Sequence, residues 1–154
     1  MPVRVLFVCY ANICRSPMAQ AVFAAKVADA GLSGEILSDS AGVSYQTFGS
    51  DIHPSVHEIL AGKGIDYAHT PRRITKTDLD TYDHVLAADL SVLKSVWGMG
   101  KGKAKVEALL KYAPLAGASE VPDPLKTGNF SLVYDLVDTA AAGLLAKLKS
   151  AHQL

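Results

Sequence analysis

The sequence is poor in cysteine and tryptophan, carries no net charge and contains no long apolar run. Its two cysteines, Cys9 and Cys14, are separated by only four residues. A disulfide framework needs more cysteines at wider spacing, and a zinc site needs further ligands close by. Both are excluded, which leaves two free thiols and a reducing compartment. The 15 Lys and Arg residues balance 15 Asp and Glu, so no overall field favours nucleic acid or an anionic membrane. Any anion site must therefore be local. Lys101, Lys103 and Lys105 form a modest cluster that a solvated turn accounts for. No apolar stretch approaches the roughly 18 residues that span a bilayer. Residues 1–8 run into a strand-like segment without a cleavage-site pattern. The expectation is a cytoplasmic protein with neither nucleic-acid nor membrane partners.

What is present is an ordinary core. Apolar residues make up 49% of the chain and charged ones 19%, and 154 residues suit one domain, 1–154. The apolar, β-branched run 3–8 reads as a buried parallel strand. From Pro17 the period changes: Met18, Ala21, Val22, Ala25 and Ala28 share a helical face that Gly31 ends. A second strand is expected over 35–40, with Ala41-Gly42 as a turn. A helix follows over 54–63, a third strand over 84–88 and a short helix over 90–96. Residues 101–105 read as a loop, 106–110 as strand or helix, and 131–150 as a long final helix. Strands alternating with helices predict an α/β fold, a parallel sheet flanked by helices on both faces. Ligands bind such sheets at the carboxyl ends of the strands.

The segment from Cys9 to Pro17 lies at such an end, between the first strand and the first helix. A loop feeding a helix N-terminus aims unpaired N–H groups and the positive end of the helix dipole at one spot. Cys9 opens the loop and Arg15 closes it. The N–H groups of Tyr10, Ala11, Asn12, Ile13 and Cys14, with Arg15, favour a thiolate at Cys9 and would hold phosphoryl oxygens, Arg15 by a planar fork. Ser16 can donate its hydroxyl to the thiolate, and Asn12 adopts a left-handed conformation cheaply. The bland alternative is that Cys9 is a small buried residue. Asp123, between Pro122 and Pro124, reads from its surroundings as an exposed turn residue or as a directed acid.

These residues resemble the signature of the low-molecular-weight protein tyrosine phosphatases: Cys9, two further positions, Asn12, Ile13, Cys14, Arg15, Ser16, Pro17. The resemblance continues through Ser40-Ala41-Gly42, Gly64-Ile65-Asp66 with His69, Tyr82 to Leu86 ending in Asp89, Asp123-Pro124 and Val133 to Leu136. It implies a four-stranded parallel sheet and hydrolysis of phosphotyrosine and small aryl phosphates through a phosphocysteine on Cys9. Asp123 would act as general acid and then base, inorganic phosphate would be a product, and neither metal nor cofactor would be needed. A bell-shaped pH profile follows. For Cys14 the resemblance implies a reversible disulfide with Cys9, against passive packing behind the loop.

The sequence departs from the family pattern at several places. Ala11 stands where glycine is usual, and a positive φ there would cost about 1–2 kcal/mol. Gln20 replaces an acidic residue. His53-Pro54-Ser55 lacks an expected ion pair, and Ala88 and Val92 alter the surroundings of Asp89. The usual aromatic of the substrate mouth is Gln46, leaving Tyr45 and Phe48 as candidates, and Leu125-Lys126 stands where tyrosines are common. Two rival readings are an arsenate reductase using an external thiol and a silent phosphate-binding module.

Overall fold

A computed structural model describes every residue except 48 and 50. Four parallel strands form one sheet in the order β2-β1-β3-β4: β1 is Val3–Cys9, β2 Ile36–Gly42, β3 His84–Ala87 and β4 Lys105–Ala108. The fold is the expected single-domain α/β sheet. Successive residues of β1 point to opposite faces. Val5 and Phe7 pack with Phe23 of helix α1 (Arg15–Asp29) and with Val137 and Leu144 of α6 (Phe130–His152). Phe7 and Phe23 meet edge to face, their centroids 5.4 Å apart. Leu6 and Val8 face the other way, onto Leu79 of α3 (Lys76–Thr81) and Val96 of α4 (Leu90–Trp97). Helix α2 (Pro54–Gly62) joins the first layer through Val56 and Leu60. Among the described residues, no helix is long and apolar enough to cross a membrane.

Three expectations are corrected. Ala41 and Gly42 do not turn but complete β2, because Gly42 pairs with Cys9 on one side and bridges to Arg73 on the other. Lys105 opens β4 instead of ending a loop, and the ambiguous 106–110 divides into that strand and a 3-10 turn, Leu109–Tyr112. Two short helices were not expected: α3, opened by a reciprocal capping box between Thr75 and Asp78, and α5, Pro124–Thr127.

The close approach of α6 to the 3-10 turn depends on Gly143. A Cβ added there would collide with the backbone carbonyl of Tyr112, which cannot swing aside as a flexible side chain could. Gly143→Ala is therefore expected to destabilise the protein by about 1–3 kcal/mol despite alanine's better helix propensity. Urea unfolding measures this, and a stabilised variant would show that the turn yields freely.

Candidate active site

The loop from Tyr10 to Cys14 joins β1 to α1 at the carboxyl edge of the sheet. Cys9 is only 2% exposed. Its Sγ lies 3.0 Å from Ser16 Oγ and accepts the Asn12 N–H at 3.3 Å. The N–H groups of Ala11, Ile13, Cys14, Arg15 and Ser16 have no protein acceptor among the described residues. Together they form a nest of free N–H groups at a helix N-terminus, an arrangement suited to an anion. Asn12 takes the left-handed conformation, φ 59°, while Ala11 does not have positive φ.

Arg15 is buried and aimed by two acceptors on one nitrogen. Nη1 donates to Asp89 Oδ2 at 2.7 Å and to the Val121 carbonyl at 3.0 Å. Both Nη1 hydrogens are thereby used, and the edge formed by Nε and Nη2 remains for a bidentate grip on an oxyanion. Asp89 is fixed in turn by accepting the Val92 N–H at 2.8 Å. Val121 donates its own N–H to the Ala88 carbonyl at 2.8 Å, tying the segment before Asp123 to the end of β3.

Asp123 caps α5, with Oδ1 accepting the Leu125 N–H at 3.0 Å. Oδ2 has no protein partner among the described residues. Cys9, Tyr10, Ala11, Ile13, Cys14, Arg15, Asp123 and Leu125 line one pocket, so the thiol, the guanidinium and the carboxylate expected from sequence share it. Cys14 is different in character. Burial, with the charges of Cys9 and Asp123 adding and Arg15 opposing, pushes its thiol up to about 12. It stays protonated at neutral pH and does not compete with Cys9 for phosphorus.

A polar network underlies the loop. Asn12 Nδ2 donates to Ser16 Oγ at 2.9 Å and to Ser40 Oγ at 3.0 Å. Asn12 Oδ1 accepts the Arg72 N–H at 3.0 Å and faces His69 Nε2 at 2.8 Å. An amide oxygen only accepts, so Nε2 of His69 carries the proton. Burial holds the His69 pKa below its usual value, against the pull of Asp39.

Similarity to known proteins accords with this geometry. Residues 4–154 match the family model described as low molecular weight phosphotyrosine protein phosphatase. The chain is 39% identical to the low molecular weight protein-tyrosine-phosphatase YfkJ of Bacillus subtilis, over 99% of each chain. It is 41% identical to the low molecular weight phosphotyrosine protein phosphatase of Sus scrofa, over 94% of this chain and 95% of the other. The crystal structure of YfkJ superposes with a TM-score of 0.94 at 38% identity, over 98% of this chain and 97% of that one. This chain belongs to the low-molecular-weight protein tyrosine phosphatase family. It is a protein tyrosine phosphatase of that family.

The phosphatase's departures from the family pattern have local answers. With Asn12 holding the positive φ, Ala11 carries no such strain. Gln20 accepts the Tyr67 hydroxyl at 2.6 Å and donates to the Ser38 carbonyl at 3.3 Å. His53 caps α2 by accepting the Ser55 N–H at 3.1 Å, and its ring stacks on Phe130 with centroids 4.8 Å apart. Backbone groups of Val92 and Ala88 supply bonds behind the loop, so their apolar side chains do not loosen it. At the mouth, Tyr10 and Leu125 line the pocket, whereas Tyr45 does not. Phe48 lies outside the described residues. Leu125, Asp89 and Val121 were not assigned to the site from sequence; only Asp89 carries a signal, as an acid at the carboxyl end of a strand.

The pH dependence of folding follows from two histidines. His69 and His84 both have lowered pKa values, in each case chiefly through burial. The unfolded chain therefore binds these protons more readily. Their contribution is fully present above the unfolded value of 6.5 and is lost as pH falls through the lower folded values. Asp83 and Glu107 also have lowered values: burial opposes ionisation, and hydrogen bonds from Arg4 N–H and Lys103 to the first, and from Lys111 and Tyr112 to the second, outweigh it. They matter only at more acid pH. Urea midpoints are expected to drop as pH falls below 6.5 and to drop less in His84→Asn. Identical slopes in wild type and variant would contradict the assignment to His84.

Proposed function

We propose that catalysis runs through a covalent phosphocysteine on Cys9. The Cys9 thiolate attacks phosphorus, an S–P bond forms and the ester P–O bond breaks, while Asp123 gives its proton to the departing phenol oxygen. Asp123, now a carboxylate, takes a proton from water. That water's oxygen bonds to phosphorus, the S–P bond breaks, and inorganic phosphate leaves with Cys9 again a thiolate. Ser16 supports the thiolate on attack and on departure. The free loop N–H groups and the Nε/Nη2 edge of Arg15 stabilise charge on the equatorial oxygens. The substrates are phosphotyrosine in proteins or peptides and small aryl phosphates, met in the cytoplasm. Peroxide oxidises Cys9 to a sulfenic acid, and the Cys14 sulfur then displaces its hydroxyl as water to close a reversible Cys9–Cys14 disulfide.

One observation carries this reading: Cys9, Arg15 and Asp123 line a single pocket, and the N–H groups of Ala11, Ile13, Cys14, Arg15 and Ser16 have no protein acceptor among the described residues. Hydrolysis of p-nitrophenyl phosphate in the presence of chelator and reductant tests it. Sustained turnover is the expected result. Activity that appears only on adding a metal ion would overturn the metal-independent scheme.

A further inference from the structure

Beside the pocket an exposed cation lies on an exposed ring. The Arg73 guanidinium carbon is 3.7 Å from the centroid of Tyr45, which is 81% exposed. Arg73 Nε also reaches the Val43 carbonyl at 3.5 Å. Neighbouring Arg72 pairs with Asp39 and Asp78, but among the described residues no carboxylate pairs with Arg73. Stacking on an aromatic face orients a guanidinium and leaves its N–H donors at the plane's edge open to an acid.

The sheet fixes where this cation stands. Gly42 pairs with Cys9 on one side and bridges to Arg73 on the other, through the Gly42 N–H to the Arg72 carbonyl and the Ile74 N–H to the Gly42 carbonyl. Two strand spacings place the Arg73 Cα about 10 Å from that of Cys9. An extended peptide covers this distance in about three residues. The segment bearing Tyr45 is fastened to the phosphate loop, because Ser44 N–H and Thr47 Oγ1 both donate to the Tyr10 carbonyl, at 2.9 and 3.1 Å. Gly42 permits that closeness: a Cβ there would stand 2.7 Å from the same carbonyl oxygen. The cation is thus held in register with the nucleophile.

We propose that Arg73, oriented by Tyr45, determines specificity by pairing with a carboxylate side chain two or three residues from the phosphotyrosine of a peptide substrate. The inference rests on the phosphotyrosine reading of the site. Two phosphopeptides that differ only in glutamate or glutamine at those flanking positions give the test as a ratio of kcat/KM, which cancels any change in overall activity. Wild type is expected to favour the glutamate peptide by about three- to fivefold, as for an exposed ion pair. Arg73→Ala brings the ratio to one, Arg73→Glu inverts it, and high salt weakens the wild-type preference. A wild-type ratio of one, or the same preference in Arg73→Glu, overturns the inference while p-nitrophenyl phosphate is still hydrolysed. A wild type inactive toward p-nitrophenyl phosphate overturns the underlying reading and the inference with it.

Discussion

Replacing Cys9 with serine is expected to lower kcat toward aryl phosphates by at least about four orders of magnitude without unfolding the protein. A serine hydroxyl is a far weaker nucleophile than a thiolate at neutral pH, and among the described residues only the Ser16 hydroxyl and the Asn12 N–H, neither of them a base, bond to the side chain at position 9. The change is nearly isosteric in a buried position, and the Asn12 N–H and Ser16 hydroxyl that meet Cys9 Sγ can meet an oxygen instead. Inorganic phosphate should still bind, because the loop N–H groups and Arg15 are untouched. Steady-state assays with phosphate inhibition or binding separate the two effects. Residual turnover within tenfold of wild type would show that the nucleophile lies elsewhere.

Asp123→Asn has the second largest expected effect. General acid–base catalysis contributes about 10²–10⁴ in rate, and an amide can neither donate the proton nor recover one from water. The loss should be greatest for phosphotyrosine, whose phenolate leaves reluctantly, and smaller in the cleavage step for p-nitrophenyl phosphate. Asparagine keeps an oxygen to accept the Leu125 N–H, so the start of α5 is preserved. Single-turnover rates on both esters measure the contrast. Equal rates for variant and wild type on both would make Asp123 only a helix cap.

The parts of this molecule legible in the sequence are those written locally. Residues 9–17 hold the proposed nucleophile, the arginine proposed to grip phosphate and the helix start in one segment, so their meeting needs no knowledge of topology. The apolar run of β1 and the helical spacing of α6 are equally plain. Ala41-Gly42 misleads because its small residues suit a turn, yet backbone bonds from both neighbours keep it extended. Helix α3 has only six residues and one apolar anchor, Leu79; its Thr75–Asp78 capping box is the usable signal. Asp89, Val121 and His69 come to the loop from 74, 106 and 57 residues away. Nothing in local spacing records such pairings, which only the sheet order creates.

The covalent intermediate is the centre of the account, and trapping it is the most direct test. Wild-type enzyme turning over p-nitrophenyl phosphate is quenched within milliseconds in denaturant at mildly alkaline pH, where an S–P bond survives, then digested and examined by peptide mass spectrometry. The account predicts phosphate on the peptide containing Cys9, on its sulfur, and no such adduct in Cys9→Ser. Phosphate found on another residue, or turnover that never yields a phosphorylated Cys9 at any quench time, would contradict it.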